Sequence, residues 1–123
     1  MSAGRWALVR DSPCSTADPR FTVLYRWRIH PGMEQQFEEA WSTISRLLLE
    51  RGSLGSRLHR AVDGTWYSYA QWPSKAARER AFDLPPLDPA AGAKMKEAVA
   101  ESFPELVLEP VADCMVLKQC SVV

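Results

Sequence analysis

The chain has 123 residues, enough for one hydrophobic core and too few for two. Its 15 Lys and Arg balance 15 Asp and Glu, so the net charge is near zero. No basic stripe offers the electrostatic footprint that a nucleic-acid partner requires. The three cysteines, Cys14, Cys114 and Cys120, lack metal-ligand spacing and read as free thiols in a reducing compartment. No segment has the apolar run of a signal peptide or a membrane span. The composition therefore predicts a cytoplasmic domain with no metal, no membrane partner and no nucleic acid.

Residues 1–20 read as an N-terminal arm and residues 21–123 as the folded domain. Phe21, Val23, Tyr25, Trp27 and Ile29 alternate with Thr22, Leu24, Arg26 and Arg28, which predicts a first strand ended by Pro31-Gly32. From Met33 the apolar residues recur at helical spacing through Phe37, Ala40, Trp41, Ile44 and Leu48. Gly52 suits the left-handed position after that helix. A β-hairpin follows on either side of Asp63-Gly64, then Ser74 caps a short helix over residues 75–82. Asp88-Pro89 opens a further helix to about Ser102, and Leu106–Lys118 reads as a last strand with Pro110 at an edge or bulge.

A two-residue Asp63-Gly64 loop pairs Ala61 with Trp66 and His59 with Ser68. Arg57, His59, Trp66, Ser68, Ala70 and Trp72 then share one face, while Leu58, Arg60, Tyr67, Tyr69 and Gln71 share the other. The element order strand, helix, strand, strand, helix, strand predicts an α+β, ferredoxin-like (split β-α-β) fold with helices on one face of an antiparallel sheet. The bare face would carry Leu24, Leu58, Tyr67 and Tyr69 beside Arg26, Arg28 and Arg60. That mixture is apolar enough to predict a homodimer through the open face.

Four segments carry a family resemblance: Tyr25-Arg26-Trp27-Arg28 with Pro31-Gly32, Phe37–Trp41, Gly55–Arg60, and Tyr69–Ser74. Together they resemble the antibiotic biosynthesis monooxygenase family of the dimeric α/β-barrel superfamily, its uncharacterised members in particular. The resemblance implies two sheets packed face to face in a dimer and a pocket between sheet and helices in each subunit. It also implies cofactor-free oxygenation of polycyclic phenols, or haem breakdown, both of which use an asparagine with a tryptophan. Trp72 matches that tryptophan, and the asparagine position of the haem-degrading branch falls near Tyr25. The chain contains no asparagine, and residues 75–102 hold no histidine to match the haem ligand of that branch.

Dioxygen is a triplet and reacts slowly with closed-shell molecules, so without a cofactor the substrate must supply the electron. The protein would remove a proton, stabilise the anion and exclude water. On that basis His59 is the candidate base and Arg57 its oxyanion partner. Trp27, Trp66 and Trp72 are candidate ring platforms, Tyr25 a donor, and Ser68 a polar lining residue for an apolar small molecule. Competing readings make His59 a strand histidine bonded to Ser68 or a helix group, and the tryptophans core. At the level of the whole protein the alternatives are a non-catalytic ligand-binding or dimerisation module, or an isomerase or cyclase acting through the same base.

Overall fold

A computed structural model describes residues 20–116. The arm before Arg20, Cys14, Cys120 and the last two positions of the strand expected to reach Lys118 lie outside the described residues. Strand β1 (Phe21–Ile29) has the expected bounds. After the Pro31-Gly32 turn, helix α1 (Glu34–Leu49) buries Phe37 and Ala40. Its end is closed by Gly52 at φ +104, where the amide of Ser53 donates to the Leu48 carbonyl at 3.1 Å. Strands β2 (Gly55–Arg60) and β3 (Trp66–Trp72) form the hairpin. The Ser74 hydroxyl accepts from the Ala77 amide at 3.1 Å and opens α2 (Lys75–Phe82). Asp88 accepts from the Ala91 amide at 3.0 Å and opens α3 (Pro89–Ala98) with proline in its first turn, where no amide is needed.

The chain ends differently from the periodicity. The helix expected to reach Ser102 stops at Ala98, and Val99–Ser102 forms β4 against β1, ahead of β5 (Leu106–Leu108). Val99 is β-branched and packs against the Trp27 cluster, so pairing with β1 outweighs continued helix. Phe103 still donates its amide to Arg26, and Pro104, which has no amide to give, separates the two short strands. The sheet order is β2-β3-β1-β4, all antiparallel, with β5 beside the first half of β1. This is the expected ferredoxin-like α+β arrangement.

The core lies between sheet and helices. Phe37 is fully buried and meets Trp27 and Trp66 edge-on, with centroids 5.0 and 5.7 Å apart. Such aromatic pairs contribute roughly 0.5–1.5 kcal/mol each beyond their burial. A second cluster packs Trp72, 1% exposed, on Ala77 and Ala81 of α2.

The hairpin has a different register from the one the Asp-Gly pair suggests. Ala61 donates to the Thr65 carbonyl at 2.8 Å, and Gly64 donates to Ala61 at 3.0 Å. The loop is therefore Val62-Asp63-Gly64, three residues long, with Gly64 at φ +89 and the Asp63 carboxylate accepting from Thr65. Three-residue hairpins that end on a left-handed glycine are the next commonest type after two-residue ones. The pairs become Arg60 with Trp66, His59 with Tyr67 and Leu58 with Ser68. A slip of one residue turns every β2 side chain over. Leu58 and Arg60 thus share the helix-facing side with Trp66, and Arg57 and His59 share the open side with Tyr67 and Tyr69.

Candidate functional site

The first strand delivers Tyr25 and Trp27 to the helix-facing side, and β3 delivers Trp66, Ser68 and Trp72 there, because both strands alternate and Tyr25 pairs directly with Ser68. All five expected binding residues therefore share one face. Arg57 and His59 do not join them. Both are exposed on the opposite side of the sheet. The bond from His59 to Ser68 offered by the competing reading is not formed, and Trp41 takes its place, with the indole Nε1 donating to the Ser68 hydroxyl at 3.0 Å. Arg60, not His59, lies over the Trp66 ring, 5.3 Å from its centroid.

The three tryptophans are occupied by packing. Trp27 and Trp66 are held against Phe37, and Trp72 is enclosed by α2. Between these two clusters runs a row of Tyr25, Ser68 and Leu58 across three strands, and its polar groups interrupt an otherwise apolar layer. The Tyr25 ring stacks on Trp27, with planes 2° apart and centroids 5.8 Å apart.

Arg78 completes the row from α2. Its Nη2 donates to the Tyr25 phenol at 2.8 Å and to the Glu105 carboxylate at 2.7 Å. Its guanidinium lies 5.1 Å from the Phe82 ring centroid and 5.9 Å from that of Tyr25. The Nε of Arg78 is buried and has no partner among the described residues. Burial pushes the Tyr25 phenol up from its ordinary pKa, outweighing the hydrogen bond and charge of Arg78, which pull it down. Burial acts to lower the pKa of Arg78, yet the hydrogen bond and charge of Tyr25 with the charge of Glu105 leave it raised. At neutral pH the row is thus a neutral phenol donor beside a fixed cation.

Arg78, Trp41 and Glu105 are the functional candidates that sequence reading passed over. Arg78 and Phe82 are four apart and share a face of α2, a spacing visible in the chain. The contact of Arg78 with Tyr25 spans 53 residues and depends on how α2 docks. Among the described residues no group of His, Cys, Asp and Glu is arranged to hold a metal ion. No helix among them is long and apolar enough to cross a membrane. Cys114, the one cysteine described, is an exposed free thiol.

A ferredoxin-like antiparallel sheet, with its helices on one side and a polar row between them, is the fold of the dimeric α/β-barrel proteins. Residues 20–88, more than half of the chain, match the antibiotic biosynthesis monooxygenase family, and the chain belongs to that family. Solved structures carry the same fold at low identity. SnoaB, a cofactor-independent oxygenase from Streptomyces nogalater, superposes with a TM-score of 0.65 at 16% identity, over 77% of this chain and 96% of its own. Rv0793 from Mycobacterium tuberculosis gives 0.62 at 17%, over 78% and 99%. A conserved protein from Methanosarcina mazei gives 0.63 at 8%, over 74% and 92%. At such identities the likeness is one of fold. No curated protein matches the sequence.

Proposed function

We propose that this protein is a cofactor-independent oxygenase of a small, electron-rich phenolic molecule, bound between the sheet and α1 and α2 at Tyr25, Ser68 and Arg78. The observation that carries the reading is the Arg78–Tyr25 pair on the helix-facing side of a chain of this family. A phenolate oxygen taking the place of Glu105 would meet the Arg78 guanidinium, including its unpartnered Nε, and the protonated Tyr25 hydroxyl. A cation at that distance lowers the pKa of a bound phenol, so the substrate's own proton can leave to water without a histidine on this face. The phenolate gives one electron to dioxygen, the two radicals join at the para carbon as a peroxide anion, and that anion takes a proton from water to become a hydroperoxide. Loss of water from that carbon leaves the quinone. One oxygen atom stays in the product, the other leaves as water with the two hydrogens the ring has lost, and no external reductant is consumed.

Ligand binding without chemistry is a second reading. It is favoured by the packing of Trp27, Trp66 and Trp72 into core and by the lack of a described histidine on the helix-facing side. We also propose a homodimer through the open face, where Tyr69 is exposed beside Arg57 and His59 and where β5 exposes Leu106 and Leu108. Tyr and Arg are residue types that interfaces favour.

Oxygen uptake with hydroxylated naphthalenes and anthracenes, with no metal or flavin added, tests the function. Arg78→Met and Tyr25→Phe are each expected to lower the rate by roughly ten-fold or more, in line with loss of an oxyanion donor, while His59→Ala leaves it unchanged. A rate that survives Arg78→Met refutes the site. Binding of the same phenols without uptake by the wild type supports the second reading.

A further inference from the structure

We propose that the cleft between the end of α1 and α2 binds a small carboxylate with an apolar body, held by Arg51 and Arg80. The cavity has a volume of about 280 Å³ and shares no lining residue with the Tyr25–Arg78 row. Pro73, Ala77, Ala81 and Leu84 form apolar walls, Arg51 and Arg80 supply the charge, and no Asp or Glu lines it. Neither arginine has a carboxylate within 4.0 Å among the described residues, so two positive charges face one small space without compensation.

Arg51 is fixed in place. Its Nη1 donates to the Ala81 carbonyl at 3.0 Å and its Nη2 to the Pro85 carbonyl at 2.7 Å. Both acceptors are neutral, so the positive charge stays available, and a guanidinium with five N–H groups keeps donors in hand after two bonds. A planar fork held at two points is already organised for a carboxylate, which it can engage by two parallel bonds. Arg80 is exposed and forms no hydrogen bond or salt bridge among the described residues, so it can close on the same ligand from α2. The apolar walls account for the rest of the ligand. Leu84 is 52% exposed at the rim, and a ligand's hydrocarbon would remove that surface from water.

The test uses the full chain and sodium benzoate as the probe, followed by amide chemical shifts. Saturable shifts are expected at Gly52, Ala77 and Ala81, with affinity falling roughly ten-fold or more in Arg80→Met, as for loss of one charged contact. The Arg80 side chain makes no hydrogen bond or salt bridge among the described residues, so its variant is expected to fold normally. Arg51→Met should behave likewise but also loses two structural bonds. Benzamide, which has the same shape without the charge, should shift these amides far less than benzoate. The proposal is overturned if benzoate gives no saturable shift there, if benzamide binds equally well, or if Arg80→Met binds like the wild type. Equal affinity for inorganic phosphate and benzoate would also overturn it, since the cleft would then be only a cationic patch. None of these readouts depends on oxygen chemistry, so the outcome is separate from that of the oxygenase test.

Discussion

Replacing Arg78 by Met keeps most of the apolar stem and removes the guanidinium, and the structure ranks the contacts that are lost. The bond to Tyr25 is partly buried and charge-assisted, a class worth about 1.5–3 kcal/mol. The pair with Glu105 is shorter, at 2.7 Å, but the carboxylate side chain is 42% exposed, so it contributes roughly 0–1 kcal/mol. The ring contacts with Tyr25 and Phe82 add about 0.5–1 kcal/mol each. The single substitution should therefore cost about 2.5–6 kcal/mol, a large part of the stability of a domain of this size. The assay is urea unfolding of Arg78→Met, Tyr25→Phe and Glu105→Gln with both double mutants. The Arg78–Tyr25 coupling should exceed the Arg78–Glu105 coupling by about 1 kcal/mol. Equal couplings, or a larger one to Glu105, would refute the claim that burial and not bond length sets the strength of this cluster.

Tyr25 has a raised pKa in the fold, so the native state holds its phenolic proton more tightly than the unfolded chain. Its contribution to stability is then complete below the ordinary tyrosine value of about 10 and is lost as pH rises from there through the higher folded value. Spectrophotometric titration of tyrosinate should show one late group that disappears in Tyr25→Phe, and the variant should lose less stability than the wild type above that pH. Phe37→Ala empties the centre of the Trp27–Trp66 cluster and should cost about 3–5 kcal/mol by chemical denaturation, a large part of the total for a domain of this length. Gly64→Ala brings the new methyl no closer than 3.8 Å to Arg28 Nη1, an ordinary contact, but forces a side chain to φ +89, and should cost about 1–2 kcal/mol with no change in the slope of unfolding.

Much of the fold can be read directly from the chain because local rules and burial agree. The alternation of β1, the Ser74 and Asp88 caps and the Gly52 stop each act within a few residues, and each appears where the pattern puts it. The end of α3 is less legible, since Val99 leaves the helix only because β1 offers it a partner. The binding side is readable as far as strand parity carries it, which is why Tyr25, Trp27, Trp66, Ser68 and Trp72 fall together. Parity gives no depth, so it leaves the tryptophans open to both readings, ring platform or core, and their packing against Phe37 and α2 is that of the core reading. The approach of Arg78 could not be foreseen, since it depends on helix docking.

The position of His59 turns on one loop residue. Asp-Gly suits both a two-residue turn and the last two positions of a three-residue loop, so turn chemistry alone does not choose between them. The composition of β2 does. Leu58 is the only large apolar side chain in the strand, and it reaches the helices only if Arg57 and His59 face away. Burying a leucine is worth about 1.5–3 kcal/mol, while turning an arginine into the layer beside Trp72 costs more than it returns. Deleting Val62, whose side chain is fully exposed, leaves Asp63-Gly64 as a two-residue loop that still pairs Ala61 with Thr65, so Leu58 stays on the helix-facing side. Stability by urea midpoint should change by less than about 1 kcal/mol, and the amide contacts between His59 and Tyr67 should persist in nuclear Overhauser spectra. Loss of those contacts, with His59 newly beside Ser68, would show that the burial of Leu58 does not set the register.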